Sequence, residues 1–348
     1  MKRRFLLLFA AILAAVSLMA ACGTTGEKTA GKAKETESKE AKDTEGNHTK
    51  YPLEIEIRDF EGNKYTQTFE KAPERVVTNN LSSIEMLLQL GLKDKIVGIT
   101  KPDNAVTGQF ADDVADLKNL GDKMTMSKEI IVGETPDLVV GRSMVFTDDS
   151  MGSVSTFNDL GINVFTQSAS NIGENPPLTA VIDDVLTLGK IFDVNDRAEE
   201  YAKELQDRYD AIVEKVDTKK GEKKLSLLPI VGYDSSKSTF SIFGVSEGLQ
   251  KDLLTKLNLV PAVEGNGADP SLETIISSNP DVIVYIKADR NAALDANAVK
   301  SILNEPLLKD VSAIKEGRVY EVTYDDFMDY GVRIFDTLEM LGNNIYGK

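Results

Sequence analysis

From position 51 onward the chain alternates two textures. Leu53, Ile55 and Ile57 alternate with polar residues, Asp59-Phe-Glu-Gly62-Asn63 follows as a turn, and the alternation resumes over 64–69, which predicts an opening β-hairpin. Beyond it, short runs rich in β-branched residues at 75–78, 96–100, 138–141 and 163–166 are separated by stretches of helical period. A second series stands at 225–231, 282–286 and 318–323. Continuous apolar runs of this length, spaced by helices, are the pattern of a parallel α/β sheet covered on both faces. Between the two series, residues 196–216 contain no Gly or Pro, and Ala198, Tyr201, Leu205, Tyr209, Ile212, Val213 and Val216 fall at helical spacing. About 20 helical residues span about 30 Å, enough to cross from one lobe to another.

The two series share a phrase. Ser127-Lys-Glu129-Ile-Ile131-x4-Pro136-Asp137 and Ser271-Leu-Glu273-Thr-Ile275-x4-Pro280-Asp281 each lead through Pro-Asp into an apolar run, 144 residues apart. Similarity at a fixed period of half a domain pair argues for two like-folded lobes. The expected organisation is therefore an N-terminal lobe over 51–195, an interlobe helix over 196–217 and a C-terminal lobe over 218–348, both lobes Rossmann-like α/β.

The first 50 residues read differently. Lys2, Arg3 and Arg4 precede an apolar run over 5–18, and Met19-Ala20-Ala21 stands before Cys22, the one cysteine of 348 residues. Basic start, short apolar core and small residues ahead of the cut are the parts of an export signal. The run is shorter than the roughly 20 residues that span a bilayer. The arrangement resembles a bacterial lipoprotein signal, with Met in place of the usual Leu three residues before the cysteine. It implies cleavage after residue 21, diacylation (palmitate-type chains) of Cys22, and stable anchoring on the extracytoplasmic face of the cell membrane. Residues 23–50 contain no Phe, Tyr, Trp, Val, Leu, Ile or Met and cannot bury enough surface to fold, so 22–50 is read as a lipidated, disordered tether. Its reach is roughly 30 Å. A phosphate-loop mimic at Gly26 to Ala33 lacks both the Ser/Thr and a preceding strand.

Charge and composition narrow the chemistry. With 56 acidic and 40 basic residues the net charge is −16, and loss of the three basic residues in the signal leaves 37 against 56, a net of −19. Such a balance disfavours nucleic acid and anionic lipid surfaces as partners. A lone Cys excludes an intramolecular disulfide and Cys-built metal clusters, and a lone His, His48 in the tether, excludes His-rich metal sites and His-based catalytic triads. No metal site and no catalytic group is expected.

Lys71-Ala-Pro-Glu-Arg-Val-Val77, Leu81-Ser-Ser-Ile-Glu85-Met-Leu-Leu-Gln-Leu-Gly91 and Asp94-Lys-Ile-Val-Gly-Ile99 are similar to the corresponding segments of solute-binding lipoproteins of ABC importers, in particular the group that captures iron–siderophore complexes, haem or cobalamin. The resemblance runs from about Tyr51 to the C-terminus. It implies two Rossmann-like lobes joined by one rigid helix, a ligand in a shallow cleft between them, little hinge motion, an ABC permease as partner, a monomer, and no catalysis.

The residues themselves direct attention to the same place, because ligands of open α/β sheets gather beyond the carboxyl ends of strands. Those positions hold Asn79, Asn80, Lys101, Asp103, Arg142, Ser143 and Met144 in the first lobe. In the second they hold Tyr233, Asp234, Lys287, Arg290, Tyr324, Asp326 and Phe327. Asn80, Lys101, Arg142, Tyr233, Lys287, Arg290, Tyr324 and Phe327 are the candidate ligand-binding set. The four cations among them suggest a positive patch for an anionic ferric chelate, Arg142 foremost, since guanidinium binds oxygen donors in bidentate fashion. Tyr233, Tyr324 and Phe327 are candidate aromatic walls. The resemblance further implies one acidic residue per lobe that docks onto the permease: Glu85, which also stands in a Ser82-Ser-Ile-Glu85 capping box, and Asp252, with Glu247 close behind.

The expected function is capture of a ferric siderophore and its delivery to the permease. Haem is the first alternative, with Tyr or Met as the only axial ligands the folded part could offer; cobalamin is the second. An extracellular carboxylate-pair hydrolase and a lipid-anchored adhesion protein are the readings from other classes.

Overall fold

The structure, a computed structural model, describes residues 47–123, 125–245, 248–265 and 271–347. Cys22, the expected signal and tether residues 22–46 lie outside the described residues, as does Glu247. Residues 47–50, expected as the end of a free tether, instead bond to the folded body. The Thr49 N–H donates to Asp193 Oδ1 (2.6 Å), His48 Nδ1 lies 3.0 Å from Asp193 Oδ2, and the Thr49 hydroxyl donates to the Lys190 carbonyl. The carboxylate of Asp193 gives this polar segment a partner that its own composition cannot show.

In the first lobe, β1 (Leu53–Arg58) and β2 (Lys64–Phe69) form the antiparallel hairpin, Leu53 opposite Phe69. Asp59 closes the turn by accepting from the N–H groups of Glu61 and Asn63, while Gly62 takes the φ of +86° that the turn requires. β3 (Val76–Thr78), β4 (Ile96–Ile99), β5 (Leu138–Arg142) and β6 (Asn163–Gln167) build a parallel sheet in the order β4-β3-β5-β6. Every residue of β3 and β5 is buried, as expected of strands covered on both faces. The helices of this lobe are α1 (Leu81–Gln89), α2 (Ala111–Asp116), α3 (Lys128–Gly133), α4 (Val154–Asp159) and α5 (Ala180–Ile191).

The interlobe helix is α6 (Asn195–Lys219), 25 residues, about 37 Å at 1.5 Å per residue. Its buried stripe is Ala198, Ala202, Leu205, Tyr209, Ile212 and Val216; Tyr201 and Val213 flank it, partly buried. One end packs on α5 and the other on the C-terminal helix.

The second lobe has β7 (Leu225–Asp234), β8 (Thr239–Ile242), β9 (Leu259–Pro261), β10 (Val282–Lys287) and β11 (Val319–Thr323). The order is β11-β10-β7-β8, with β9 beside the first half of β7; only β8 is antiparallel to its neighbour. Its helices are α7 (Gly248–Lys256), α8 (Leu272–Ser278), α9 (Ala292–Asp295), α10 (Ala298–Leu303), α11 (Ser312–Lys315), α12 (Tyr324–Met328) and α13 (Arg333–Tyr346).

The repeated phrase does the same work in both lobes. Ser127 and Ser271 stand at the N-caps of α3 and α8, and hydrogen bonds from these serines and the helix N–H groups hold the Glu129 and Glu273 carboxyls below the ordinary range. Then Asp137 accepts from the N–H groups of Glu74 and Arg75 (2.8 and 2.9 Å) at the entrance to β3, while Asp281 accepts from the Ser226 N–H (2.9 Å) at the start of β7. In each lobe the Pro-Asp aspartate thus clamps the neighbouring parallel strand in register.

Candidate functional site

The carboxyl ends of the two sheets face one another, and the loops that follow the strands meet in a polar seam. Asn104, after β4, is its hub. Its N–H donates to Asp325 Oδ2 (2.8 Å), its side-chain amide donates to the Lys287 carbonyl (3.2 Å), and its Oδ1 accepts from the Tyr324 N–H (3.2 Å). The N–H of Asp289 donates to the Asp103 carbonyl (3.1 Å), so backbone joins backbone across the seam.

Tyr324 occupies the middle of this arrangement. It opens α12, whose start is fixed by a capping box: the Thr323 hydroxyl accepts from the Asp326 N–H, and Asp326 accepts from the Thr323 N–H. The ring is half-buried, with Phe243 edge-on at 5.9 Å between centroids. Two cations from opposite lobes lie over it, Arg290 with its guanidinium carbon 4.7 Å from the ring centroid and Lys123 with its Nζ at 5.1 Å. Both are bonded to one carboxylate, Asp103: Arg290 donates to Oδ1 at 2.7 Å, and Lys123 donates to Oδ2.

Beneath this lies a second polar layer. Asp329, fully buried, accepts from the Ser82 N–H (2.7 Å) and from the side-chain amide of Asn80 (3.3 Å), and faces the Arg142 guanidinium at 3.8 Å. Burial raises the carboxyl pKa of Asp329 against the pull of Arg142, and raises that of Asp325, with the charge of Asp329 adding to the effect. Arg142 is only 4% exposed, and its Nε–H has no partner among the described residues.

The eight candidate ligand-binding residues therefore divide. Arg290 and Tyr324 converge in the seam. Lys101 is exposed beside it, its N–H bonded to the Gly121 carbonyl. Arg142 is a buried floor residue facing Asp329, not an open cation. Asn80 is buried as the N-cap of α1, its Oδ1 accepting from Ser83 and its amide donating to Gln167. Tyr233 and Phe327, 2% and 0% exposed, are not cleft walls: each strand-end aromatic turns into its lobe's core. Lys287 turns to the sheet edge and pairs with Glu321 at 2.7 Å. The positive patch expected from sequence is thus largely balanced by Asp103, Asp329 and Glu321. Lys123, Asp103, Asn104, Phe243, Asp325 and Asp329 are seam residues outside the candidate set. Asp103 was visible as a strand-end position, whereas Lys123 sits in a loop whose placement depends on the Ile99–Asn119 bridge.

The two docking acids are also placed differently from expectation. Glu85 does not close a capping box, because Asn80 caps α1. It is buried and bound in bidentate fashion by Arg333, Nε to Oε2 at 2.8 Å and a terminal N–H to Oε1 at 2.7 Å. The pair lines a cavity of about 430 Å³ with Gln89, Thr107, Tyr201 and Arg208. Asp252 accepts from the Leu178 N–H (2.9 Å), another tie between lobes. Neither carboxylate is presented free to a partner.

Two facing α/β lobes, one connecting helix and a seam at the strand ends define a two-lobed ligand-binding protein. The chain belongs to the periplasmic binding protein family, which matches residues 76–325. It is 24% identical over 346 residues to an uncharacterised ABC transporter substrate-binding lipoprotein, YvrC, of Bacillus subtilis (97% of this chain, 96% of that one). Cobalamin-binding protein of Halobacterium salinarum is 26% identical over 280 residues (79% and 70%), and petrobactin-binding protein YclQ of B. subtilis is 26% identical over 332 residues (91% and 90%). A periplasmic binding protein from Veillonella parvula superposes with a TM-score of 0.72 at 22% identity, over 86% of this chain and 94% of that one.

As a member of this family the chain is a binding protein and not an enzyme. One G-x-S-x-G run does occur, at residues 244–248. Its Ser246 lies outside the described residues, and the sole imidazole, His48, is bonded to Asp193 at the α5–α6 corner.

Proposed function

We propose that the chain is the substrate-binding component of an ABC importer, anchored through a lipid on Cys22 to the extracytoplasmic face of the membrane, and that its ligand is a ferric siderophore held at the seam. The observation that carries this reading is the convergence of Lys123 and Arg290, one from each lobe, over the Tyr324 ring. An aromatic face rimmed by two hydrogen-bond-donating cations suits a bulky chelate whose periphery carries carboxylate, catecholate or hydroxamate oxygens. Lys101 stands exposed beside it. The petrobactin-binding relative supports the same ligand class. A chelate of low net charge such as cobalamin is the second reading, favoured by the cobalamin-binding relative and by the acids that already pair with the cations.

Ten Tyr and no Trp make intrinsic fluorescence a report on tyrosines. Titration with a ferric catecholate, a ferric hydroxamate, haem and cyanocobalamin, followed by Tyr quenching corrected for absorbance, is expected to give saturable binding of a siderophore at micromolar concentration or below. Binding of cyanocobalamin alone would establish the second reading, and silence from all four would sink both.

A further inference from the structure

The seam holds its cations in an unusual ratio. Lys123 and Arg290 both bond to Asp103 and both lie over the Tyr324 ring, so two positive charges share one carboxylate. Asp103 is itself well covered, its side chain 11% exposed, whereas Arg290 remains 47% exposed and approachable from outside. Arg142 has no such surplus, since Asp329 faces it at 3.8 Å.

We propose that Asp103 is an internal surrogate for an oxyanion of the ligand and the residue that sets the charge preference of the site. In the ligand-free chain it holds the Lys123 ammonium and the Arg290 guanidinium over Tyr324; an anionic chelate takes hydrogen bonds from both in its place. This inference rests on the siderophore reading and adds to it the contact group and its competitor. Competition for the same donors makes the carboxylate a tax on anionic ligands in particular. Removing its charge strips both cations of the carboxylate they are bonded to, beside a half-buried ring, where Coulomb interactions are stronger than in bulk water. A neutral chelate exchanges hydrogen bonds with the same donors but gains little from the extra positive charge.

The test compares two probes, the trianionic tris-catecholate of ferric iron and a neutral ferric tris-hydroxamate, by Tyr quenching against wild type, Asp103→Asn and Lys123→Gln. The quantity read is the ratio of the two affinities. Asp103→Asn is expected to shift that ratio about tenfold toward the catecholate, equivalent to about 1.4 kcal/mol. Lys123→Gln is expected to shift it the opposite way, so the two variants check one another, and a melting curve for each shows that the chain is folded. A ratio unmoved by Asp103→Asn, or moved toward the hydroxamate, overturns the surrogate role while leaving the siderophore reading intact. Absence of binding of either chelate to any of the three proteins overturns the siderophore reading, and the surrogate role falls with it.

Discussion

At the scale of single residues, the seam and its surroundings are built from carboxyl groups kept out of water. Asp184, fully buried in α5, is pushed up to about 7 by burial, even though the Ser168 and Ala169 N–H groups donate to it. Asp325 and Asp329 are raised as well, burial again the main cause; Asp103, Arg142, Lys123 and Arg333 are the charges facing them. A carboxyl whose pKa is higher folded than unfolded takes up a proton on folding. Its stabilising effect is complete below the ordinary value near 4 and is lost as pH rises through the folded value. Thermal stability is therefore expected to fall progressively between about pH 4 and about pH 8, with Asp184 alone accounting for on the order of 4 kcal/mol. Asp184→Asn should flatten part of that slope in calorimetry; a melting temperature that climbs with pH would contradict the assignment. The same residues show the limit of reading a site from sequence. The strand-end rule pointed to Arg290 and Tyr324, but whether a strand-end side chain meets the opposite lobe or its own core depends on tertiary neighbours. Tyr233 and Phe327 carry the same local pattern and point inward.

At the scale of elements, the sequence was far more legible. Apolar runs at 138–141 and 282–286 are the buried strands β5 and β10, and the Pro-Asp phrases mark equivalent clamps because the chemistry is local: an aspartate one residue ahead of a strand reaches the N–H groups entering the next. β8 and β9 escaped because three or four residues are too few to show a period, and β7 supplies the hydrogen bonds that define them. The helix α6 was legible in its length and stripe, yet its close approaches were not. Gly189 of α5 lies against Ala198, and a Cβ on Gly342 of α13 would stand 2.6 Å from Ile212 Cγ2. These two glycines let α6 seat against one helix from each lobe. Gly189→Ala and Gly342→Ala each add a methyl where there is no room, and overpacking of this kind costs about 1–3 kcal/mol. Urea midpoints should drop for both variants, since any gain in helix propensity from Ala is only about 1 kcal/mol. An unchanged or raised midpoint would show that α6 can shift to accommodate the methyl.

At the scale of the whole molecule, the two lobes are joined by more than a connector. One apolar cluster runs from Val76 and Ile84 of the first lobe through Leu205 and Ile212 of α6 to Leu257, Val284 and Leu338 of the second. Polar ties reinforce it: Asn80 and Ser82 to Asp329, Leu178 to Asp252, and Glu85 to Arg333. The last is a bidentate ion pair between the lobes, with Glu85 and Arg333 side chains 5% and 18% exposed. A continuous core predicts that wild type unfolds in a single cooperative transition in spite of its two lobes. Glu85→Ala removes one partner of a buried pair and leaves Arg333 with the Asp326 carboxylate, at 3.1 Å and nearer the surface, and the Thr107 carbonyl at 3.3 Å. The loss from such a truncation is about 3 kcal/mol or more, because the surviving charge stays in a poorly solvated place. For a chain of this size that corresponds to a fall in melting temperature of roughly 5–10 °C. Calorimetry should show that fall, together with a broadened or split transition as the lobes lose this bidentate tie. A Glu85→Ala protein that melts with wild type would show that the carboxylate is not bound to Arg333 in solution and stands free for a partner.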